Sequence, residues 1–456
     1  MAETMTGAPP SAPPRRATRS RPPVTLLIAC ASVLLVLMDY NAPLVTVPQI
    51  SAAYGSGPAG QTWLINGFVL GLAATMLIMG SLADDLGRRR VFVTGAALFA
   101  VGCAAAGAAP GTVVFVLLRL LQGVGSAAML TASVGLVTHA YPAGPARIRA
   151  TGLWGAMIGL GIAVGPLVSA SLATAWSWRG SYWIYAAVAV VIAVVTPRLV
   201  PESRADQRHS LDVPGVATLG AGLTLLLAGL TEGRTGWARP EVAALFAGAA
   251  VALAGFAVVE LRRREPMLDL RLFRRPDFLV ATVGALVTGL AVIGFMSYLP
   301  TVFQRTMHMS SLGSALPFTV WAGLSFLVSM QARRLPGAAR WQIAAGLVLA
   351  AIGYVIMLGA VDAGEVGRVY AGFAVSGIGS GLQNASLARL SVESVPAGRG
   401  SMGSGANQTA RYVGSSTGVA LAVLLVTGLS VNAELVTVIV LCLGGAAVAA
   451  VVRPSR

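Results

Sequence analysis

The stretch Val24-Thr-Leu-Leu-Ile-Ala-Cys-Ala-Ser-Val-Leu-Leu-Val-Leu-Met-Asp39-Tyr-Asn-Ala-Pro-Leu-Val-Thr-Val-Pro48-Gln-Ile50 decides the fold class. It is apolar for long enough to cross a bilayer, whose hydrocarbon core of about 30 Å takes roughly 20 residues at 1.5 Å each. One residue breaks the pattern. Asp39 lies well inside the run, and a carboxylate at that depth costs about 2.5–3.5 kcal/mol on insertion scales. Either it is neutral and shielded in a bundle interior, or it does ionic work.

Apolar runs of similar length recur outward from this one. They cover 24–47, 60–82, 91–109, 112–138, 150–173, 181–200, 212–231, 240–260, 278–303, 312–332, 341–361, 367–391, 403–428 and 433–452. The expectation is an all-α integral membrane protein with fourteen transmembrane helices. Composition agrees: the 456 residues are 56% hydrophobic and 11% charged, with a mean hydropathy of +0.77, against about 25% charged in soluble domains. The basic start followed by an apolar run is not read as a cleaved signal peptide, because the run is too long and carries Asp39. Cys30, Cys103 and Cys442 all fall inside apolar runs, so a disulfide framework is not expected.

The net charge of +15 would suggest a nucleic-acid partner in a soluble protein. Here every basic residue is Arg, and the arginines fall mostly in loops on one side, so the partner expected is the bilayer and not nucleic acid. The arrangement with the N-terminus inside puts Arg88–Arg90, Arg399 and most others in the cytoplasm, and leaves Arg179, Arg234, Arg239, Arg305 and Arg368 outside. This bias predicts both termini in the cytoplasm of a multi-pass cell-membrane protein. Arg119, Arg389 and Arg411 lie within spans or at their ends.

The chain also echoes itself. Gly123-Val-Gly125-Ser126 is followed nineteen residues on by Pro142-Ala-Gly144, and Gly377-Ile-Gly379-Ser380 nineteen residues on by Pro396-Ala-Gly398. If the seventh and eighth spans are an insertion, these are equivalent places in two six-helix halves, an architecture of transporters. The expected organisation is a disordered cytoplasmic segment 1–23, a six-helix bundle 24–200, two linker helices with cytoplasmic loops over 201–277, a second six-helix bundle 278–452, and a tail 453–456.

Arg119, in the fourth span, reaches a depth similar to that of Asp39. A lone intramembrane cation and a lone acid at matching depth are natural partners. Two readings stay open: a static ion pair joining two helices, or a proton relay in which burial and a nearby cation pull the acid in opposite directions. Between the second and third spans, Gly80-Ser-Leu-Ala-Asp84-Asp-Leu-Gly87-Arg88-Arg89-Arg90 makes a tight turn. Gly80 and Gly87 permit close backbone approach, and Asp84 can cap the next helix or accept from an Arg. In the fifth span, Gly152, Gly155, Gly159, Gly161 and Gly165 form a small-residue stripe that lets helices touch, ahead of a Pro166 that favours a kink.

These strings resemble the signatures of the major facilitator superfamily. Gly80 to Arg90 resembles its G-x-L-a-D-r-x-G-r-r motif, with Asp85 standing where the family usually has a basic residue. Leu118-Arg119-Leu-Leu-Gln122-Gly123-Val-Gly125 resembles R-x-x-q-G-x-g. Gly152-x8-Gly161-xxx-Gly165-Pro166 resembles the motif of its antiporters, with Ser169-Ala170 in place of the terminal glycines. The segments around Trp176–Trp183, Glu260–Arg274 and Pro396–Gln408 are similar to the fourteen-span drug/proton antiporter branch. The resemblance implies proton coupling by Asp39 and Arg119, a cytoplasmic gate at Gly80, Asp84, Gly87, Arg88 and Arg89, and an antiporter motif at Gly152, Gly161, Gly165 and Pro166.

Asn66, Trp154, Tyr298, Trp321, Gln383, Asn384 and Asn407 are polar or amphipathic residues inside spans, each a candidate pocket contact or a helix-packing group. With little fixed charge they suggest an apolar, aromatic cavity for an amphiphilic or cationic organic molecule. Neither a Walker A string nor clustered catalytic groups occur, so the chain is not read as an enzyme, and neither cofactor nor metal is expected. The expected function is multidrug-type export in exchange for protons by a monomeric carrier. An exporter of a single endogenous metabolite or antibiotic is the second reading, and a membrane sensor or assembly protein a remote third.

Overall fold

The structure, a computed structural model, describes residues 22–205, 212–233, 236–263, 266–309, 311–331 and 338–452. The segment expected to be disordered lies outside these residues, except Pro22 and Pro23, which open the first helix; the tail 453–456 lies outside as well. Sixteen α-helices make up the described chain. They are α1 (Pro22–Asn41), α2 (Pro43–Tyr54), α3 (Pro58–Leu86), α4 (Arg88–Gly107), α5 (Thr112–Ala140), α6 (Pro145–Ala175), α7 (Trp178–Leu199) and α8 (Val213–Gly233). There follow α9 (Pro240–Arg262), α10 (Pro276–Val287), α11 (Phe295–Thr306), α12 (Ser311–Gln331), α13 (Ala339–Met357), α14 (Val366–Glu393), α15 (Gly400–Gly428) and α16 (Val431–Val451). Six of them start on a proline, whose missing N–H is of no consequence at a first turn.

Helices stand at all fourteen expected places, but by length and apolarity twelve qualify as spans among the described residues. The difference is physical. α14 runs for 28 residues but carries Ser376, Ser380, Gln383, Asn384 and Ser386, all buried against neighbouring helices, which lower its hydropathy. In α12 the apolar part is the shorter segment Leu316–Gln331. The first span also differs from expectation: it is not one helix over 24–47 but breaks between α1 and α2 at Ala42 and Pro43. α10 and α11 are joined without interruption by a π-helical stretch, Thr288–Gly294.

One apolar core is built mainly from α1 and α3–α7, around Val33, Val36, Phe68, Phe92 and Phe99. A second is built from α10–α16, around Phe295, Phe303, Tyr354 and Leu435. The hairpin of α8 and α9 lies against α3, where Leu219 and Leu223 meet Ala74, Leu77 and Ile78, and its Leu227 and Leu230 join the first core.

The repeated glycines do the same work in the two sets. A Cβ on Gly125 would meet Gly95 O on α4 at 2.7 Å, and one on Gly379 would run into Gly346 O on α13. Gly123 faces the backbone of α3 at Phe68, while Gly377 faces that of α12 at Trp321. Gly144 and Gly398, which close the two strings, have φ of 123° and 87°, a region that favours glycine.

Candidate functional site

Pro43 prepares the central site. It stands four residues after Asp39 and has no N–H to offer the Asp39 carbonyl, so that oxygen, which accepts from the Ala42 N–H at 3.3 Å, keeps room for a second donor. Arg119 on α5 takes it: Nη2 donates to Asp39 O at 3.3 Å, while Nη1 donates to Asp39 Oδ2 at 3.0 Å. Both side chains are fully buried. The guanidinium is held further by Gln122 Oε1 at 2.8 Å, and Gln122 in turn donates to Gly102 O at 2.9 Å on α4. The ring of Phe68 lies 4.6 Å from the guanidinium carbon. Asp39 Oδ1 has no hydrogen-bond partner among the described residues, and neither has Arg119 Nε. One carboxylate oxygen is thus neutralised and the other left open.

The small residues of α6 fall into two groups. Gly161 and Gly165 let α6 touch α1 beside the acid, where added Cβ atoms would lie 2.5 Å from Leu37 Cβ and 2.8 Å from Met38 Cα. Gly155 and Gly159 instead meet α14 at Asn384 and α12 at Ala322, in the other core. Gly152 has only Ser329 O nearby, at 3.8 Å. α6 continues as helix through Pro166 to Ala175.

A second polar cluster lies at the end of the bundle that carries Arg88–Arg90. Asp84, fully buried, accepts from Arg88 Nε at 2.9 Å and from the Met402 backbone N–H at 2.9 Å. Met402 is in the first turn of α15, where amides have no partner within the helix and the dipole favours an anion. Of the two roles the sequence offered Asp84, it accepts from an Arg, and the helix it caps is α15 and not the next one. Arg88 Nη2 reaches across to Gly398 O at 2.6 Å. Gly80 admits the Ser401 backbone directly. Asp85, the departure from the family pattern, pairs with Arg399 at 3.1 Å, again across the two cores.

Sequence reading missed Glu202. Its carboxylate accepts from the Arg89 N–H at 3.0 Å, in the first turn of α4, and a Cβ on Gly87 would collide with it. The segment around Glu202 is strapped to the turn by Arg88 N–H to Ser203 O at 2.8 Å and Ala205 N–H to Asp84 O at 2.9 Å. No motif announces it, since an acid after a helix has many uses.

The pocket candidates separate by their partners. Asn66 donates to Thr231 Oγ1 on α8 at 3.3 Å, Asn407 to Ala281 O on α10 at 2.8 Å, and Trp154 to Ser133 Oγ on α5 at 2.9 Å. These bonds join helices. Gln383 accepts from Thr288 at 2.7 Å and Asn384 donates to Ser325 at 3.3 Å, yet Gln383 Nε2 and Asn384 Oδ1 are buried and unmatched among the described residues. The same is true of Trp321 Nε1, whereas Tyr298 is half-buried against the second core.

A helical membrane bundle with two cores, a buried ion pair and a polar latch between the cores at one end is the build of a secondary carrier. The chain belongs to the Major Facilitator Superfamily, whose profile matches residues 29–419. It is 30% identical over 91% of its length, and 87% of the relative's, to the cephamycin export protein CmcT of Amycolatopsis lactamdurans. It is 28% identical over 87% of its length, and 74% of the relative's, to the multidrug resistance protein Stp of Mycobacterium tuberculosis. The fold is that of the human transporter MFSD10, with a TM-score of 0.71 at 16% identity over 94% of this chain and 99% of that one. The protein is thus a multi-pass membrane transporter related to drug and antibiotic exporters.

Proposed function

We propose that the protein is a proton-coupled antiporter of the fourteen-span drug-export branch, α12 and α14 completing the count. It sits in the cell membrane with both termini in the cytoplasm, and works as a monomer without cofactor. It moves small amphiphilic organic compounds outward by alternating access. The observation that carries this reading is the Asp39 carboxylate, buried with one oxygen on Arg119 and the other open to receive a proton. In the cycle, Asp39 takes a proton from outside when the cavity faces outward and releases it inside, with Arg119 favouring release. The inward movement of one charge supplies about 2.3 kcal/mol per 100 mV. The Asp84 cluster holds the cytoplasmic side shut, and α6 seals against proton leak.

Asp39→Asn tests this in proteoliposomes. The variant should insert and bind substrate, yet show no substrate-driven proton movement. Normal coupled export by it would defeat the assignment. A second reading, an exporter dedicated to one endogenous metabolite or antibiotic, is favoured by the similarity to a cephamycin export protein. A resistance panel in a pump-deficient host separates the two by breadth. Absence of any proton flux would point to a sensor or assembly role.

A further inference from the structure

Beyond Arg88, Arg119 and Arg399, one more guanidinium is buried in the bundle, and among the described residues it has no ion-pair partner. Arg411 stands eleven residues into α15, about 16 Å from the end that Asp84 caps. No hydrogen bond or ion pair joins its side chain to any of the described residues. The hydroxyls of Tyr412 and Tyr40 lie within electrostatic reach of it. Asp39, chain neighbour of Tyr40, is committed to Arg119. An arginine does not lose its proton in proteins, so it cannot escape burial by becoming neutral. The negative charge that balances it has to arrive from elsewhere.

The surroundings suit a ligand. Ser404, Gln408, Arg411 and Ser415 follow at intervals of four, three and four residues and so share a face of α15. All four are buried. The Gln408 amide, like the guanidinium, has no partner among the described residues, and the two residues each keep 5% of their surface accessible. Next to them the rings of Tyr412 on α15 and Tyr40 on α1 meet edge to face at 6.1 Å. Tyr40 continues to Phe68 at 5.8 Å, so an aromatic wall runs from Arg411 toward Arg119. Behind Arg411, the π-helical stretch lets Gly289 press directly on the Arg411 carbonyl. That contact fixes the arginine's place, and such distortions of a helix recur at functional sites.

We propose that Arg411 and Gln408, with the rings of Tyr40 and Tyr412 beside them, hold the anionic group of an organic acid, and that amphiphilic acids are therefore the substrate class. This rests on the reading of the chain as a carrier. It turns the preference away from the cations suggested by the scarcity of fixed charge in the sequence. A carboxylate or sulfonate can accept two guanidinium N–H bonds, while the aromatic body of the molecule lies on the tyrosines.

The test is binding to the purified full-length protein in nanodiscs, followed by tryptophan quenching, for three probes with one body: 1-naphthylacetate, its methyl ester and 1-naphthylmethylamine. The acid is expected to bind at least tenfold more tightly than the other two. In Arg411→Gln its affinity should fall to that of the ester, with the ester unchanged, and Arg411→Lys should keep part of the difference. Equal affinities in the wild type, no acid binding up to millimolar concentration, or selectivity that survives Arg411→Gln would each overturn the proposal. The wild-type ranking decides even where a variant does not fold. Asp39→Asn should keep the preference for acid. A wild type that exports the amine against protons but ignores the acid retains the carrier reading and loses this one.

Discussion

Replacing Asp84 by Ala is expected to unlatch the basic end of the bundle. The fully buried carboxylate binds Arg88 and the first turn of α15. Removing one partner of a buried ion pair costs about 3–5 kcal/mol, because the other charge is left uncompensated. Arg88 keeps one bond, to Gly398 O, so the lower figure applies. At 1.4 kcal/mol per factor of ten, about 3 kcal/mol shifts the balance between latched and open forms by roughly a hundredfold. The reporter is Ser404→Cys in a background without Cys30, Cys103 and Cys442, since Ser404 is buried beside Gly405, which faces Met76 and Leu77 of α3. A membrane-impermeant maleimide offered from the basic end should label the Asp84→Ala protein about two orders of magnitude faster than its parent. Unchanged labelling, in a protein that still melts cooperatively, would refute the latch.

Three further outcomes follow from other contacts in the bundle. Gly165→Ala should destabilise by about 1–3 kcal/mol, as overpacking does, because its Cβ would lie 2.8 Å from Met38 Cα. Gly152→Ala, with its nearest neighbour at 3.8 Å, should be neutral or gain up to about 1 kcal/mol of helix propensity; thermal melting in detergent should show the difference in sign. Asp85→Arg, which installs the residue usual in the family, should bring like charges together at Arg399 and speed labelling at the same reporter, while Asp85→Arg with Arg399→Asp should restore slow labelling. Pro43→Ala returns an N–H to the Asp39 carbonyl and competes with Arg119 for it. Expression should persist and initial transport rates fall several-fold; rates equal to wild type would show that the freed carbonyl is idle.

How far the site could be read from sequence depended on how rare each signal is in a membrane. Asp39 and Arg119 stand out because charged residues within spans are uncommon, and their depths along two helices can be counted. The turn Gly80–Arg90 stands out by its spacing. The directions of neutral polar side chains cannot be recovered in the same way. A span is apolar all round, toward lipid and toward protein alike, so no amphipathic period tells which face Asn66 or Asn407 presents. Asn66 turns to α8 and Asn407 to α10, and both prove to be bonds between helices. Glu202 and Arg399 lie far along the chain from the turn they complete, and nothing local to them signals it. Pro43 was legible in principle: a proline four residues after an acid within a span takes one donor away from that acid's own carbonyl. Arg411 was visible as a charge inside a span, but whether it had a partner is a fact of packing alone.

The ion pair and the latch are separate clusters, and α6 touches both what surrounds the acid and the opposite core. Its Gly161 and Gly165 rest on α1 at Leu37 and Met38, immediately before Asp39. Its Gly155 and Gly159 rest on α14 and α12. The midpoints of the two contacts are about six residues, or about 9 Å of rigid helix, apart. Each contact is made through glycine against backbone or a Cβ, with no long side chain between to absorb a displacement. A movement of α1 when Asp39 changes its hold on Arg119 would therefore reach the interface between the cores through one rod. Coupling of this kind has to be measured between the ends. A double-mutant cycle of Gly155→Ala with Asp39→Asn, read as labelling at Ser404→Cys, should depart from additivity; simple addition would mean that α6 carries no signal and only holds the bundle together.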